Sequence, residues 1–439
     1  MAQFFSDTLT SRRSGTSRPD AGSRKRLVLE GATVGFGAFL LLFQATPIGV
    51  AISLAGLAVF LVAGLRAAIQ KSVRAYGMTY FELVMAVTCT FSALAFYFVG
   101  FLTSAQFTVI FSVTVLSVSL IARGYSAEGL LRWAAISHLI MILAVTMVNP
   151  VEIMGALDPN AANRWALRFR PFGLHPNLTG FIFSGAVIIL IYGAVINPGK
   201  MRVLYCIGAV LSFLTVLVAS ARGGLLALVL SSALMALFYY RRVFAPRPRM
   251  TIFMVALSVI FLALAWGTLS DYLVNVLELN SRSRGLDSGG SGRIDRWLSG
   301  LNFIGDSDLQ LFIGMGLRTV GQDTLGFNST ENSYINIAIE NGLFVMVASL
   351  VLFFGGIIRL YMRSLRDLNP VWTFLTWLLL YACIQSFFNR YLLAIGNSLS
   401  FYVLLTTAIA WLPQGPKLTR TVRQLMPWEV DRRKTERLS

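Results

Sequence analysis

Four short segments hold residue types able to act on phosphates and sugars. The first is Ser220-Ala221-Arg222-Gly223-Gly224, where one apolar run ends and the next begins. Arg222 therefore heads a helix. Its forked, permanently charged head suits phosphate, and the free N–H groups of a helix start add to that. The paired glycines let a backbone or ligand come close. A snorkelling arginine at a tight turn accounts for the same residues. The second segment is Ser288-Gly289-Gly290-Ser291-Gly292 followed by Arg293-Ile294-Asp295-Arg296-Trp297-Leu298. Ile294, Trp297, Leu298 and Leu301 recur at i, i+3, i+4 and i+7, which predicts an amphipathic helix on the bundle or at the lipid interface. Ser291 is the expected N-cap, with Arg293 in the first turn as an anion ligand. A hinge before an interfacial helix with solvated arginines is the competing reading.

The third segment is Arg164-Trp165-Ala166-Leu167-Arg168-Phe169-Arg170, leading to His175-Pro176-Asn177. Arginines among aromatic rings can hold phosphate and stack on sugar faces, or serve as interfacial anchors. Asn177 is expected to cap the helix that follows, and His175 reads as exposed. The fourth is Ser329-Thr330-Glu331-Asn332-Ser333-Tyr334. Glu331 there is either a base for a hydroxyl or a carboxylate favoured by a helix dipole. The cysteines, Cys89, Cys206 and Cys383, lie in apolar runs and read as small buried hydrophobes. His138, mid-run, reads as a hydrogen-bonded packing residue. No His/Cys cluster has zinc-ligand spacing. Asp287, Asp295, Asp306 and Asp308 are scattered without calcium-loop order. No metal or cofactor is expected.

What positions these segments is a membrane bundle. Of 439 residues, 56% are hydrophobic and 13% charged, and the mean hydropathy is +0.69. That excludes a soluble domain, a disordered chain and a disulfide scaffold. Runs of about 20 apolar residues fall at 28–46, 48–65, 80–100, 102–121, 129–149, 178–197, 203–219, 222–240, 250–268, 334–358, 371–388 and 392–412. The expected fold is an all-α polytopic membrane protein of about twelve transmembrane helices. Long outer loops are expected at about 150–177 and 269–333. The basic 1–27 and 413–439 form tails around a single membrane domain over 28–412. With the N-terminus inside and sides alternating, 27 of the 37 basic residues fall inside and ten outside. This is the positive-inside pattern, with both termini cytoplasmic. The net charge of +17 then reports basic inner loops and calls for no nucleic acid. The inner loops are too short for a catalytic domain and carry no phosphate-binding loop. Chemistry therefore belongs to the outer face.

In order along the chain, these pieces resemble the O-antigen ligase and polysaccharide polymerase superfamily. The resemblance rests on Arg222-Gly223 at an outer helix start and on Ser291-Gly292-Arg293 with Trp297. Gly314-Met315-Gly316 follows, then Glu331-Asn332-Ser333-Tyr334 running into Ile339-Glu340-Asn341-Gly342. His175-Pro176-Asn177 resembles exopolysaccharide polymerases of this group. The resemblance implies a metal-independent glycosyltransferase with a GT-C-like fold in the bacterial inner membrane. It would work at the periplasmic face on an undecaprenyl-diphosphate-linked oligosaccharide. Such a donor arrives through the bilayer, so no soluble domain is needed. Arg222 and Arg293 occupy the family's diphosphate-binding positions. Glu331 occupies the position of a proposed histidine base, a departure that favours a polymerase over a ligase. Arg168, Arg170, His175, Asn177, Arg296, Asn332 and Tyr334 are expected to contact substrate. The growing polysaccharide is the implied acceptor. Membrane lipids, a chain-length regulator and export proteins are further partners suggested by the resemblance. The alternatives are a ligase delivering glycan to lipid A-core or another acceptor, and a polysaccharide or lipid-linked glycan transporter. A transporter is disfavoured because no convincing internal repeat is evident, and because Glu30 and Glu82 lie near inner helix ends and leave His138 alone.

Overall fold

The structure is a computed structural model that describes residues 21–70, 77–157, 168–243, 292–320, 329–367 and 369–413, with 270 and 274. The expected span at 250–268, residues 1–20 and 414–439 of the tails, Arg164, Asp287 and Ser291 lie outside the described residues. The described residues are helical, without strands. In chain order the helices are α1 (Ala21–Leu40), α2 (Gly49–Gln70), α3 (Tyr80–Val99), α4 (Leu102–Gly124), α5 (Ala127–Val148), α6 (Pro150–Leu157) and α7 (Pro176–Ile196). They continue as α8 (Lys200–Val218), α9 (Arg222–Val243), α10 (Arg293–Gly305), α11 (Asp308–Phe312), α12 (Ser333–Asp367), α13 (Pro370–Gln385) and α14 (Ser398–Trp411). Among the described residues, eight helices are long and apolar enough to cross a membrane. Three shorter apolar helices accompany them over Gly31–Phe43, Pro370–Gln385 and Ser398–Trp411.

The order of burial shows how the bundle is built. In α7, 83% of the apolar window is buried, against 33% in α2 and in α8. Thus α7 is the central helix, packed by α8, α5, α13 and α9. The outer helices instead expose Val50, Val62, Leu116, Val210 and Val229, the apolar belt that a hydrocarbon solvent requires. His138 is fully buried in α5, its Nδ1 2.8 Å from the Ala134 carbonyl and its ring against Tyr402, as a packing residue should be.

The structure corrects several local expectations. The run at 392–412 is helical only from Ser398, because Asn397 takes the Ser400 N–H on its side chain and caps α14 there. Residues 386–397 are thereby left as a loop at the end of the bundle that carries the candidate site. The run at 334–358 belongs to a longer helix that breaks at Gly342 (φ 79°, ψ 166°). The break frees the carbonyls of Ile339 and Glu340, and they are taken by the N–H groups of Met315 (2.8 Å) and Gly316 (2.7 Å). This explains Gly314-Met315-Gly316. A Cβ at Gly314 would lie 2.5 Å from the Asn341 nitrogen, and one at Gly316 2.0 Å from the Ser104 hydroxyl. Only glycines let this strap lie along the broken helix.

Candidate active site

The starts of α7, α9 and α12, the end of α13 and the 386–397 loop meet at one end of the bundle. Arg222 is the first residue of α9. A Cβ at Gly224 would stand 3.0 Å from the Gly180 carbonyl oxygen, and one at Gly223 2.8 Å from the Phe388 Cβ. The two glycines thus seat α9 against α7 and the 386–397 loop, with Arg222 at the junction. Arg168 donates to the carbonyls of Ala219 (3.3 Å) and Ser220 (3.1 Å) in the turn just before it. Ser220 holds a positive φ of 49°, so Arg168 braces a strained turn.

Glu331 is the hub of the cluster. One carboxylate oxygen accepts from Arg293 Nε at 2.9 Å and the other from Arg296 Nη1 at 3.2 Å. Glu331 itself has φ 54°, the left-handed region that costs a non-glycine residue roughly 1–2 kcal/mol. Its side chain is 26% exposed and that of Arg296 is 40% exposed. Ion pairs this exposed contribute about 0.2–1 kcal/mol each. Pairing therefore does little more than offset the backbone strain, and stability alone gives no reason for a strained glutamate here. Strained residues of this kind gather at functional sites.

Several expected roles change. Gly292, in the left-handed region, is the N-cap of α10, with no side-chain cap bond. The helix is amphipathic, but Ile294, Leu298 and Leu301 are exposed. It packs instead through Gly300 and Ile304, since a Cβ at Gly300 would meet Thr330 at 2.7 Å and Ile335 at 2.9 Å. That seating turns Arg293 and Arg296 toward Glu331. Asn332, not Glu331, caps α12: its Oδ1 accepts from the N–H groups of Tyr334 and Ile335. Tyr334 is buried and donates to the Cys383 carbonyl at 2.8 Å. Asn332 and Tyr334 therefore hold the helix start in place, whereas substrate contact was expected of them. Ser333 completes the anchor, donating to the Asn389 carbonyl and accepting from the Leu392 N–H.

His175, rather than Asn177, caps α7. Its Nδ1 accepts the Asn177 N–H at 3.2 Å. That bond leaves the neutral ring with its proton on Nε2, so that nitrogen is a donor rather than a base. Although the residue is exposed, the desolvation of its ring by neighbouring groups holds its pKa below 6.5; Glu331 opposes this, and Arg168, Arg170 and Arg390 reinforce it. Glu331, Arg168, Arg170 and Arg390 therefore lie near enough to His175 to act on its charge. Acidification should therefore loosen this end. The cap's stability is fully present above the unfolded histidine value of about 6.5 and is lost as pH falls through the lower folded value. In His175→Asn, a non-titrating cap, melting temperature should fall less than in the unmodified protein between about pH 7.5 and about pH 5. Parallel curves for the two would refute this.

The sequence reading passed over Arg318, Glu340, Arg390 and Tyr391 as site residues. The signals were the Gly-Met-Gly strap and the Glu-Asn-Gly break, whose meaning depends on each other. Among the described residues, no three His, Cys, Asp or Glu side chains come together in a way that could hold a metal ion.

These observations define an all-helical membrane protein with an arginine-rich polar site at one end of its bundle. Residues 207–350 match the family model described as O-antigen ligase, which supports the O-antigen ligase and polymerase-like superfamily. That family implies glycosyltransferase-like ligase or polymerase activity. The matched segment contains Arg222, Arg293, Arg296 and Glu331; Arg168, His175 and Arg390 lie outside it. No curated protein matches the chain.

Proposed function

We propose that this chain polymerises polyprenyl-diphosphate-linked oligosaccharide repeat units at the periplasmic face of the inner membrane, without a metal ion. The observation that carries the reading is Glu331, held in a strained backbone between Arg293 and Arg296 at the head of α12. A hydroxyl oxygen of the acceptor sugar attacks the anomeric carbon of the donor. The bond from that carbon to the diphosphate oxygen breaks, and polyprenyl diphosphate leaves with the electron pair. Arg222 and Arg293 stabilise the charge that develops on it. Glu331 takes the hydroxyl proton, which requires its oxygens to turn from the arginines to the acceptor as diphosphate engages the guanidinium groups. His175 Nε2–H and Arg170 orient the sugars, and Arg168 holds the turn that aims Arg222.

The ligase reading is supported by the description of the matched family. The glutamate at the proposed base position favours polymerisation. Purified protein supplied only with the lipid-linked repeat unit separates the two. A ladder of products, formed with excess chelator present and no second acceptor, is the expected result. Transfer that appears only when lipid A-core is added would make it a ligase, and no transfer with either would remove both readings.

A further inference from the structure

Beside the Glu331 cluster lies an open-mouthed cleft at the head of α12. Its wall combines Phe107, Arg318, Asn336, Glu340, Arg390 and Ala394. Four segments distant in sequence build it, α4 supplying Phe107. The Gly314–Gly316 strap delivers Arg318, with the Leu317 N–H fixed to the Ser92 hydroxyl at 3.0 Å and Arg318 itself at φ 62°. The first part of α12, before its break, delivers Asn336 and Glu340. The 386–397 loop, tied to Ser333, delivers Arg390. The Arg318 guanidinium carbon stands 5.3 Å from the centre of the Phe107 ring. The Glu340 carboxyl lies beside the Arg318 backbone N–H and in the field of both guanidinium groups. Arg390 also acts on His175, and Tyr391 feels Arg390, Glu331 and Arg318 together. Ser333, two residues from Glu331, lines the cleft and is tied to the 386–397 loop, so the cleft lies beside the start of α12.

We infer that the Arg318–Glu340–Arg390 cleft is the acceptor-side subsite, holding a sugar ring of the incoming glycan next to the arginine and Glu331 cluster. This rests on the glycosyl-transfer reading above. The chemistry of the wall selects the ligand class. Two guanidinium forks supply donors, and the Glu340 carboxylate supplies an acceptor in the same wall. The aromatic and aliphatic surface suits the apolar face of a pyranose. A site meant only for a phosphate would gain nothing from Glu340, which repels it and neutralises one arginine. Asn336 is already fixed by Thr330 and Ser329, so the floor is rigid before any ligand arrives.

The test uses two probes on full-length protein in lipid nanodiscs. One is the lipid-free oligosaccharide released by mild acid from the cell's own lipid-linked precursor. The other is sugar-free polyprenyl diphosphate. Ala394→Trp fills the cleft without changing charge, and Glu340→Gln removes the acceptor carboxylate while keeping the shape. Both should weaken oligosaccharide binding about tenfold or more, the loss of roughly 1.4 kcal/mol, and raise acceptor KM in proportion. Polyprenyl diphosphate binding should be unchanged. Unaltered oligosaccharide affinity in variants that keep the unmodified melting temperature would overturn the proposal, and so would joint loss of diphosphate binding. Should Ala394→Trp not fold, Glu340→Gln and Arg390→Gln decide it. If the unmodified protein binds the oligosaccharide through this cleft yet makes no polymer, the cleft assignment stands and the transfer reading falls. If it makes polymer but Glu340→Gln leaves acceptor KM unchanged, the reverse holds.

Discussion

Arg222→Lys and Arg293→Lys are each expected to lower glycosyl transfer by about 10²-fold or more, the scale of losing one preorganised donor to developing charge. Lysine keeps the charge, so the loss measures the bidentate fork. The two variants should differ in one respect. Arg293 is paired with Glu331 at 2.9 Å and sits at a helix start behind Gly292. Arg222 is set by the Ala219–Ser220 turn that Arg168 braces. Arg168→Ala should therefore reproduce much of the Arg222→Lys loss, while Arg293→Lys should leave the Arg168 turn untouched. Turnover with purified, correctly inserted protein checks this. Full activity in both lysine variants would remove the diphosphate assignment.

The parts of this molecule that could be read in advance follow from one-dimensional rules. A stretch of about 20 apolar residues has few options besides crossing a bilayer, and most expected spans coincide with helices. Arg222 at a helix start was equally legible, since the apolar run breaks just before it. The amphipathic period of α10 was legible too, but not which face packs. Its large side chains face out, and the small Gly300 takes the bundle contact because Thr330 and Ile335 leave room for nothing larger. The α7 cap was misread because asparagine is a common cap and histidine is not. The cleft was out of reach for a different reason. Gly342 looks like one tolerated glycine in an apolar helix, and Gly314 and Gly316 look like a turn. Only when the strap pairs with the broken helix do Arg318 and Glu340 become neighbours, and no sequence period encodes that pairing.

Glu331→Gln carries the other large expected effect. As general base, Glu331 should lose about 10²–10⁴-fold in rate on conversion to the amide, with donor affinity retained. Its geometry makes the outcome a real contest, because both carboxylate oxygens already accept from arginines. Glutamine keeps the shape and one acceptor oxygen but loses the charge, so Arg293 and Arg296 would be held less firmly. If aiming the arginines is the whole task of Glu331, donor affinity and rate should fall together. Raising the donor concentration would then recover most of the rate. If it is the base, saturation with donor recovers nothing, and the pH–rate profile of the variant loses the low-pH limb set by deprotonation of the base. Glu331→Asp adds a third reading: the shorter carboxylate keeps the charge but cannot span both arginines from the same backbone. Activity retained in Glu331→Asp and lost in Glu331→Gln would assign the proton to this residue. A near-unmodified rate in Glu331→Gln would end its candidacy. His175 would then be next, and its Nδ1 cap to Asn177 would have to open, or its Nε2 proton be lost, before it could accept a proton.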